Sequence, residues 1–406
     1  MTRRWSVAEL GPLTCAGCGL LCDDVTVETS SDGVRLTPEC PLGAQWFSER
    51  MRRDGAPAAT IDGEAAEVQS ALRRAAELLR GARRPLLHGF EGATVEDARA
   101  AVALADRLGA LMSTEAVAGP WPGAPAVPLR GSCTATLGEI RDRSRLVVIW
   151  RADPESTHPR LLERLGFGAG RSSAPTPGRA LVVVDDRDTA TAQRADLRLS
   201  LPRERDLDAL SRLHVLQRGL EVGPDDLNGL IERVRSVPHA TFVYGPGLTD
   251  GAGGQRRALA LHELVRALCH DRHVVTLELP AATGTRSADD VLAWQSGYGG
   301  NVDFASGHPE LVTATRPLAG SEGVDVSLRI ESAPADLPAG VTQIALGRLP
   351  AGADVAVSIR TAAAGVSAAG TVHRLDGVPL SLQAPELDDA PTAAALLARL
   401  LDEVQR

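Results

Sequence analysis

Four cysteines lie close to the start of the chain, spaced as Cys-x2-Cys-x3-Cys with a fourth after 17 intervening residues. They are Cys15, Cys18, Cys22 and Cys40. A cubane iron–sulfur cluster needs four thiolates that converge on one point, and a short run plus one remote cysteine can supply them. Glycines between the first cysteines allow the tight bend that such a loop requires. The spacing therefore predicts that these four residues are metal ligands of a [4Fe-4S] cluster.

Three other roles for these cysteines stay open. Structural zinc also accepts four cysteines, although its usual pattern is two close pairs rather than a triplet. Disulfides require an oxidising compartment, which nothing in the sequence indicates. Buried free thiols that pack as small apolar side chains are the third alternative.

The composition excludes several functions. All 43 basic residues are arginine, because the chain contains no lysine, so Schiff-base chemistry, pyridoxal phosphate catalysis and a Walker A loop are excluded. The net charge is -9 and only 3% of the residues are aromatic, which argues against a nucleic-acid partner. No apolar run is long enough for a signal sequence or a membrane span. We therefore expect a cytoplasmic chain with reduced thiols and no membrane partner.

Short apolar runs alternate with amphipathic segments along the rest of the chain. Predicted strands fall at 84–89, 146–150, 181–184, 241–244, 274–279, 324–328 and 355–359. Predicted helices fall at 64–80, 94–108, 206–220, 255–269 and 392–404. This alternation is typical of parallel sheets covered by helices, so the fold class is α/β, with doubly wound domains behind a small N-terminal unit. Gly-rich and Pro-rich loops at 118–128 and 167–178 are expected at a cleft or an interface.

The predicted domains are a four-cysteine iron–sulfur-type domain at 1–54, an α/β domain formed by 55–135 with 290–406, and an inserted α/β domain at 136–289. Two strand ends carry polar or glycine residues where α/β sheets bind ligands. Asp185 and Asp186 end one strand, either to accept ribose hydroxyls or to cap a helix, and Gly245 and Gly247 form a turn after another.

The chain resembles the B subunit of formylmethanofuran dehydrogenase and its bacterial relative in the formyltransferase/hydrolase complex, within the molybdopterin oxidoreductases. Besides the cysteines, the similar segments are 150–154, 158–160, 183–185, 194–196, 245–249, 291–298, 302–304 and 370–380. The resemblance spans nearly the whole chain. It implies an N-terminal iron–sulfur-type domain followed by α/β domains of the molybdopterin oxidoreductase type.

The resemblance also shows where this chain departs from the redox members of the family. Those members hold a molybdenum or tungsten pterin through a cysteine or selenocysteine followed by His-Gly-Pro. The matching stretch here places Val117 at the metal ligand and Ala118 at the histidine, followed by Gly119 and Pro120. Valine has no lone pair for a metal, so the Mo/W-pterin is expected to be absent and the chain to be a non-catalytic subunit.

The resemblance thus implies a scaffold, the B subunit of a formyltransferase/hydrolase complex in tetrahydromethanopterin-linked one-carbon metabolism. The implied partners are the hydrolase, the formyltransferase and a small C-type subunit, and formyl transfer and hydrolysis would occur in them. An active Mo/W-pterin formylmethanofuran dehydrogenase subunit is the alternative, and a free-standing iron–sulfur electron carrier is a third hypothesis.

The remaining chemistry-bearing residues are interpreted as structural. Cys133 and Cys269 lack a ligand pattern, and Cys269 is expected in a core. The histidines His88, His158 and His308 are expected to be hydrogen-bonded packing residues because none has a partner at ligand spacing. Four aromatic residues are expected in cores, with subunit anchoring as the alternative role. They are Trp46, Trp121, Trp294 and Tyr298.

Overall fold

The computed structural model describes residues 8–30, 33–52, 55–114, 130–168, 178–220, 226–280, 283–312, 323–334, 337–348, 354–386 and 388–406. The strands are β1 Ala8–Cys15, β2 Cys22–Ser30, β3 Gly33–Thr37, β4 Ala59–Ile61, β5 Glu64–Ala65, β6 Pro85–Gly89, β7 Leu111–Ser113, β8 Leu146–Trp150, β9 Ala180–Val184, β10 Leu197–Leu199, β11 His239–Tyr244, β12 His273–Glu278, β13 Asn301–Asp303, β14 Glu310–Leu311, β15 Val326–Ile330, β16 Thr342–Leu346, β17 Val357–Ile359, β18 Gly370–His373 and β19 Pro379–Leu382.

The α-helices are α1 Pro41–Met51, α2 Val68–Gly81, α3 Val95–Leu108, α4 Leu137–Arg143, α5 Pro154–Thr157, α6 Leu161–Arg164, α7 Asp206–Gln217, α8 Asp226–Arg235, α9 Pro246–Thr249, α10 Gly254–Leu268, α11 Thr283–Ser296 and α12 Ala393–Gln405. In the described part of the chain, none of these helices is both long enough and apolar enough to cross a membrane.

The chain divides into two compact units. The larger unit comprises Met1–Pro120, Ala282–Arg374 and Pro379–Arg406, and the smaller comprises Trp121–Ala281 with Leu375–Val378. The four-cysteine segment is grouped with the larger unit.

The larger unit is built on a nine-stranded sheet in the order β14-β13-β7-β6-β15-β16-β17-β4-β5. Its five central strands, from β7 to β17, are parallel, and the strands at both sides are antiparallel. Apolar side chains of α2, α3, α11 and α12 pack on one sheet face and form the main core with residues such as Leu87, Met112 and Leu328. Helix α3 starts with a capping box between Thr94 and Asp97, which satisfies its first amides.

The smaller unit contains a parallel sheet in the order β10-β9-β8-β11-β12. The chain leaves β8 toward β9 on one side, and β11 later pairs on the other side of β8. The strand order therefore reverses between β8 and β11, and the carboxyl ends of these two strands flank the reversal. Helices α7, α8 and α10 contribute leucines, isoleucine and valines to the core of this unit.

A separate three-stranded antiparallel sheet, β1-β2-β3, precedes α1 near the start of the described chain. A two-stranded antiparallel pair, β18-β19, lies near the other end of the chain. The observed architecture is thus a mixed α/β fold with parallel and antiparallel sheets. This confirms the α/β class, whereas the iron–sulfur type of the N-terminal domain stays a prediction.

Several predicted boundaries need correction. The helix predicted at 64–80 begins at Val68, because residues 64–65 form the short strand β5. The strand predicted at 324–328 is shifted to Val326–Ile330 and so includes a charged residue, Arg329. The helix predicted at 94–108 spans Val95–Leu108, and the residue after it, Gly109, has a φ of 61°, which glycine adopts without strain. The predicted loop at 118–128 lies outside the described residues.

Candidate functional site

The hairpin β1-β2 and the start of α1 position the four cysteines. Cys15 is the last residue of β1 and pairs in register with Cys22, the first residue of β2. Cys18 lies in the turn between them, and Cys40 directly precedes the Pro41 that starts α1. The hairpin therefore gathers three cysteines within one turn, and the helix start supplies the fourth.

Gly43 shows that the remote cysteine lies close to the hairpin. A Cβ placed on Gly43 would come within 3.1 Å of the Cys15 sulfur and 3.7 Å of the Cys40 Cβ. It would also come within 2.8 Å of a Leu36 methyl, so any larger residue at position 43 would force its neighbours apart. Glycine at this position therefore lets α1 approach the cysteines.

The pKa of Cys15 also indicates that the other three cysteines lie near it. Burial, together with smaller contributions from the neighbouring Cys22, Cys18 and Cys40, raises the pKa of the Cys15 thiol to about 12. The Gly17 amide donates to the Cys15 sulfur at 3.4 Å, which acts in the opposite direction. Four mutually repelling thiolates would therefore be unfavourable here without a cation between them.

The described residues show no preformed metal site at the four cysteines. In the described ranges, no group of three or more His, Cys, Asp or Glu side chains is arranged to hold one metal ion. In a [4Fe-4S] cluster each thiolate binds a different iron, so the sulfurs stand further apart than around one zinc. The Gly17 amide is the type of donor that surrounds cluster sulfurs.

One arginine of α1, Arg50, lies near Cys15 of the hairpin. The Arg50 guanidinium lies 4.6 Å from the centre of the Trp46 ring, and burial lowers its pKa. Arg50 also lines a pocket of about 180 Å³ together with Arg348 and Arg360. Arg348 donates to the carbonyl oxygens of Arg50 and Arg52, and Arg360 is paired with an aspartate, so these arginines stabilise the pocket wall.

In the smaller unit, an arginine occupies the strand ends at which a ligand was considered. Arg151 follows β8 with a φ of 51°, and its guanidinium bonds Asp206 at 2.9 Å and Asp186 at 2.8 Å. Asp185 lies 3.4 Å from Arg151 and also accepts from the backbone and guanidinium of Arg187. Both strand-end carboxylates are thus engaged in an ion network, in place of the ribose contact or helix cap considered from the sequence.

The glycine turn after β11 packs against the backbone of Arg151. A Cβ on Gly247 would collide with the carbonyl oxygen of Arg151, so the turn allows two chain segments to approach closely. The ion network could not be read from the sequence, because Arg151 and Asp206 are 55 positions apart.

The other histidines and cysteines considered from the sequence differ in burial. His88 and His158 are buried, as expected for packing residues, but Nε2 of each has no hydrogen-bond partner among the described residues. His308 is exposed and lies 3.3 Å from Glu310, so its assignment as a packing residue is wrong. Cys133 and Cys269 both pack at the edge of the smaller unit's core, and burial raises the pKa of the Cys269 thiol to about 11. No pattern in the sequence indicated that these two thiols are neighbours.

The four aromatic candidates also differ. Trp46 is buried, whereas Trp294 is 62% exposed and Tyr298 is 36% exposed, four positions further along the chain. Trp121 lies outside the described residues, as do Val117 and Ala118.

Comparison with known proteins identifies relatives over most of the chain. It is 27% identical to the B subunit of the tungsten-containing formylmethanofuran dehydrogenase 2 of Methanocaldococcus jannaschii, covering 91% of this chain and 92% of the relative. The corresponding protein of Methanococcus maripaludis is 26% identical, covering 97% and 99%. This chain is a homologue of these B subunits. No protein-family model matches it.

A bacterial relative is similar in sequence and in structure. The B subunit of the formyltransferase/hydrolase complex Fhc of Methylorubrum extorquens is 28% identical, covering 69% of this chain and 76% of the relative. A chain in the crystal structure of the FhcABCD complex from that organism, with methylofuran, superposes with a TM-score of 0.70 at 25% identity. That match covers 86% of this chain and 99% of the other, so the resemblance inferred from the sequence is confirmed.

Proposed function

We propose that this chain is the B subunit of a formyltransferase/hydrolase complex in one-carbon metabolism. The observation that carries this proposal is the structural match to nearly all of one chain of the FhcABCD complex. The sequence similarity to the B subunit of Fhc points the same way. The partners would then be the hydrolase, the formyltransferase and the small C-type subunit of that complex, and formyl transfer and hydrolysis would take place in those partners.

The proposal includes a [4Fe-4S] cluster on Cys15, Cys18, Cys22 and Cys40. The convergence of the four thiols, the Gly17 amide and the close approach at Gly43 support this ligand set. Such a cluster exchanges single electrons when it is bound. The chain's own contribution would be to keep the thiols in place, with the buried Trp46 packed close to Gly17 of the hairpin.

The proposal further holds that the chain is a scaffold without a Mo/W-pterin. Its support is the sequence at 116–120, where Val117 replaces the expected sulfur ligand and Ala118 the expected histidine. Two of the relatives are named as tungsten-containing enzymes, so an active Mo/W-pterin subunit is the second candidate function.

Metal analysis of the intact complex distinguishes these two functions. The chain is purified anaerobically with its partner subunits, and iron, acid-labile sulfide, molybdenum, tungsten and released pterin are measured. We expect about four irons and about four sulfides per chain, without molybdenum, tungsten or pterin. Stoichiometric tungsten or molybdenum with pterin would overturn the scaffold proposal, and failure to co-purify with formyltransferase and hydrolase subunits would overturn the complex.

A cysteine substitution tests the ligand set. Cys18→Ser removes one thiolate from the turn between β1 and β2, so iron and visible absorption should fall to a small fraction of the unsubstituted value. Cys133→Ser is the matched control, because this cysteine lies in the smaller unit, and it should keep its iron. Equal iron in both variants and the parent chain would exclude Cys18 as a ligand.

A further inference from the structure

The face of the nine-stranded sheet opposite the main core carries a row of polar side chains. Leu87, Met112 and Leu328 belong to the main core, and successive side chains alternate between the faces of a strand. His88 and Arg329 therefore point to the other face. The strand register pairs Arg329 with His88 across β15 and β6, and pairs His88 with Ser113 across β6 and β7.

These polar side chains are buried. Arg329 is 3% exposed, His88 is 2% exposed and Ser327 is 1% exposed. Ser327 lies two positions before Arg329 on β15, so both side chains point to the same face, about 7 Å apart along the strand. The neighbouring strands β6 and β15 are about 5 Å apart, which brings the imidazole and the guanidinium together.

Four polar atoms of this group have no hydrogen-bond partner among the described residues. They are Nη1 and Nη2 of Arg329, Nε2 of His88 and Oγ of Ser327. Buried polar atoms in folded proteins are almost always hydrogen-bonded, and each exception needs a specific explanation. Here the exceptions cluster around one guanidinium.

In the part of the chain that the structure describes, no carboxylate forms an ion pair or a hydrogen bond with the Nη atoms of Arg329. Burial lowers its pKa, but arginine stays protonated in proteins, so the positive charge remains. Glu91 is the carboxylate whose field acts on Arg329, and it accepts a hydrogen bond from the Ala333 amide at 3.3 Å. A buried cation without an adjacent anion is costly, so a group that supplies negative charge would be bound strongly.

We propose that Arg329, His88 and Ser327 form a buried binding site for an oxyanion, of the carboxylate or phosphate class. The two free Nη atoms match two oxygens of such an anion, as in bidentate arginine pairs. The serine hydroxyl can donate a further hydrogen bond, and the imidazole can do so from Nε2 in the corresponding tautomer. A water molecule would satisfy single donors but would leave the charge uncompensated. This site does not depend on the proposed function.

Anion titration of the intact chain, purified with the partners that accompany it, tests the site. Sodium acetate and inorganic phosphate are titrated separately by calorimetry at constant ionic strength, and the two titrations distinguish a carboxylate from a phosphate site. We expect one saturable site per chain for at least one anion. Arg329→Met should weaken binding at least tenfold, whereas Arg83→Met, which removes an exposed arginine of the same unit, should not.

A second measurement covers the case in which the calorimetric signal is small. Bound anion would offset the Arg329 charge, which contributes to lowering the pKa of His88 to about 4. NMR of ¹⁵N-histidine, with His88→Gln to assign the signal, should show the pKa of His88 rising when the anion is added. No rise with either anion, together with no saturable heat, would overturn the proposal. Equal binding by the parent chain and Arg329→Met would also overturn it.

Discussion

Two buried arginines, one in each unit, show opposite solutions to the same electrostatic problem. Arg151 and Arg329 are both 3% exposed, and both lie at or near the carboxyl end of a central parallel strand. Arg151 faces Asp185, Asp186 and Asp206. The Nη atoms of Arg329 contact no acceptor within the described ranges. The first arginine is therefore a structural element, whereas the second retains its capacity to bind an anion.

The difference bears on where each unit can bind a ligand. In the smaller unit, the ion network of Arg151 occupies the carboxyl ends next to the strand reversal, where α/β sheets bind nucleotides. In the larger unit, four polar atoms of Arg329, His88 and Ser327 have no hydrogen-bond partner among the described residues. We therefore expect anion binding in the larger unit and none at the β8 strand end.

The largest expected effect comes from removing the paired arginine. Arg151→Met would leave the fully buried carboxylate of Asp206 without its cation, and the fully buried Asp185 with Arg187 alone. We expect a loss of ~3–5 kcal/mol in the free energy of unfolding, because breaking a buried pair leaves uncompensated charge. Denaturant titration followed by circular dichroism measures it.

Arg198→Met is the control for that experiment. Arg198 pairs at 2.9 Å with Asp188, but both side chains are exposed, so the expected loss is only ~0–1 kcal/mol. Similar losses for the two variants would show that the buried network contributes no more than a surface pair, and the contrast between the two arginines would then lose its basis.

The sequence predicted the strands better than it predicted the roles of these two arginines. The apolar run at 146–150 predicts β8 to the residue, because every side chain of that strand is buried. The run at 324–328 ends where the charge of Arg329 begins, so the prediction placed Arg329 outside a strand that in fact contains it. The alternation of polar Ser327 and Arg329 with apolar residues was the available signal.

The candidate sites also differ in how far the sequence predicts them. Local spacing selected Cys15, Cys18, Cys22 and Cys40 as candidate ligands, and their metal binding stays a prediction. The hairpin β1-β2 and the close approach at Gly43 place Cys15 near Cys22 and Cys40. Contacts between distant positions could not be derived, because they depend on strand order. The pairing of His88 with Arg329 joins residues 241 positions apart through the alignment of β6 with β15.

The pH dependence of stability gives the next largest effect. Burial, aided by the Arg329 charge, lowers the pKa of His88 to about 4, against about 6.5 in an unfolded chain. Between these values the unfolded state binds the proton more readily, so stability falls as the pH decreases from about 6.5 to about 4. His88 would contribute up to ~3 kcal/mol to this loss.

His88→Gln should therefore reduce the loss of stability between pH 7 and pH 4, measured by denaturant titration at each pH. His308→Gln removes an exposed histidine and should leave the pH profile unchanged. Because the Arg329 charge contributes to the low pKa, Arg329→Met should also flatten the profile, and saturating anion should do the same. A profile insensitive to all these changes would mean that the two side chains do not interact.

The smallest effect, and the one that most directly compares the two arginines, is the stability of Arg329→Met without added anion. Removing a buried charge whose Nη atoms bond no carboxylate, while keeping an apolar side chain, should leave the free energy of unfolding unchanged or raise it by ~1–2 kcal/mol. The same substitution at Arg151 should lower it, so the two variants should differ in sign. A loss at Arg329 as large as that at Arg151 would reveal a structural partner for this guanidinium and remove the reason to expect an anion there.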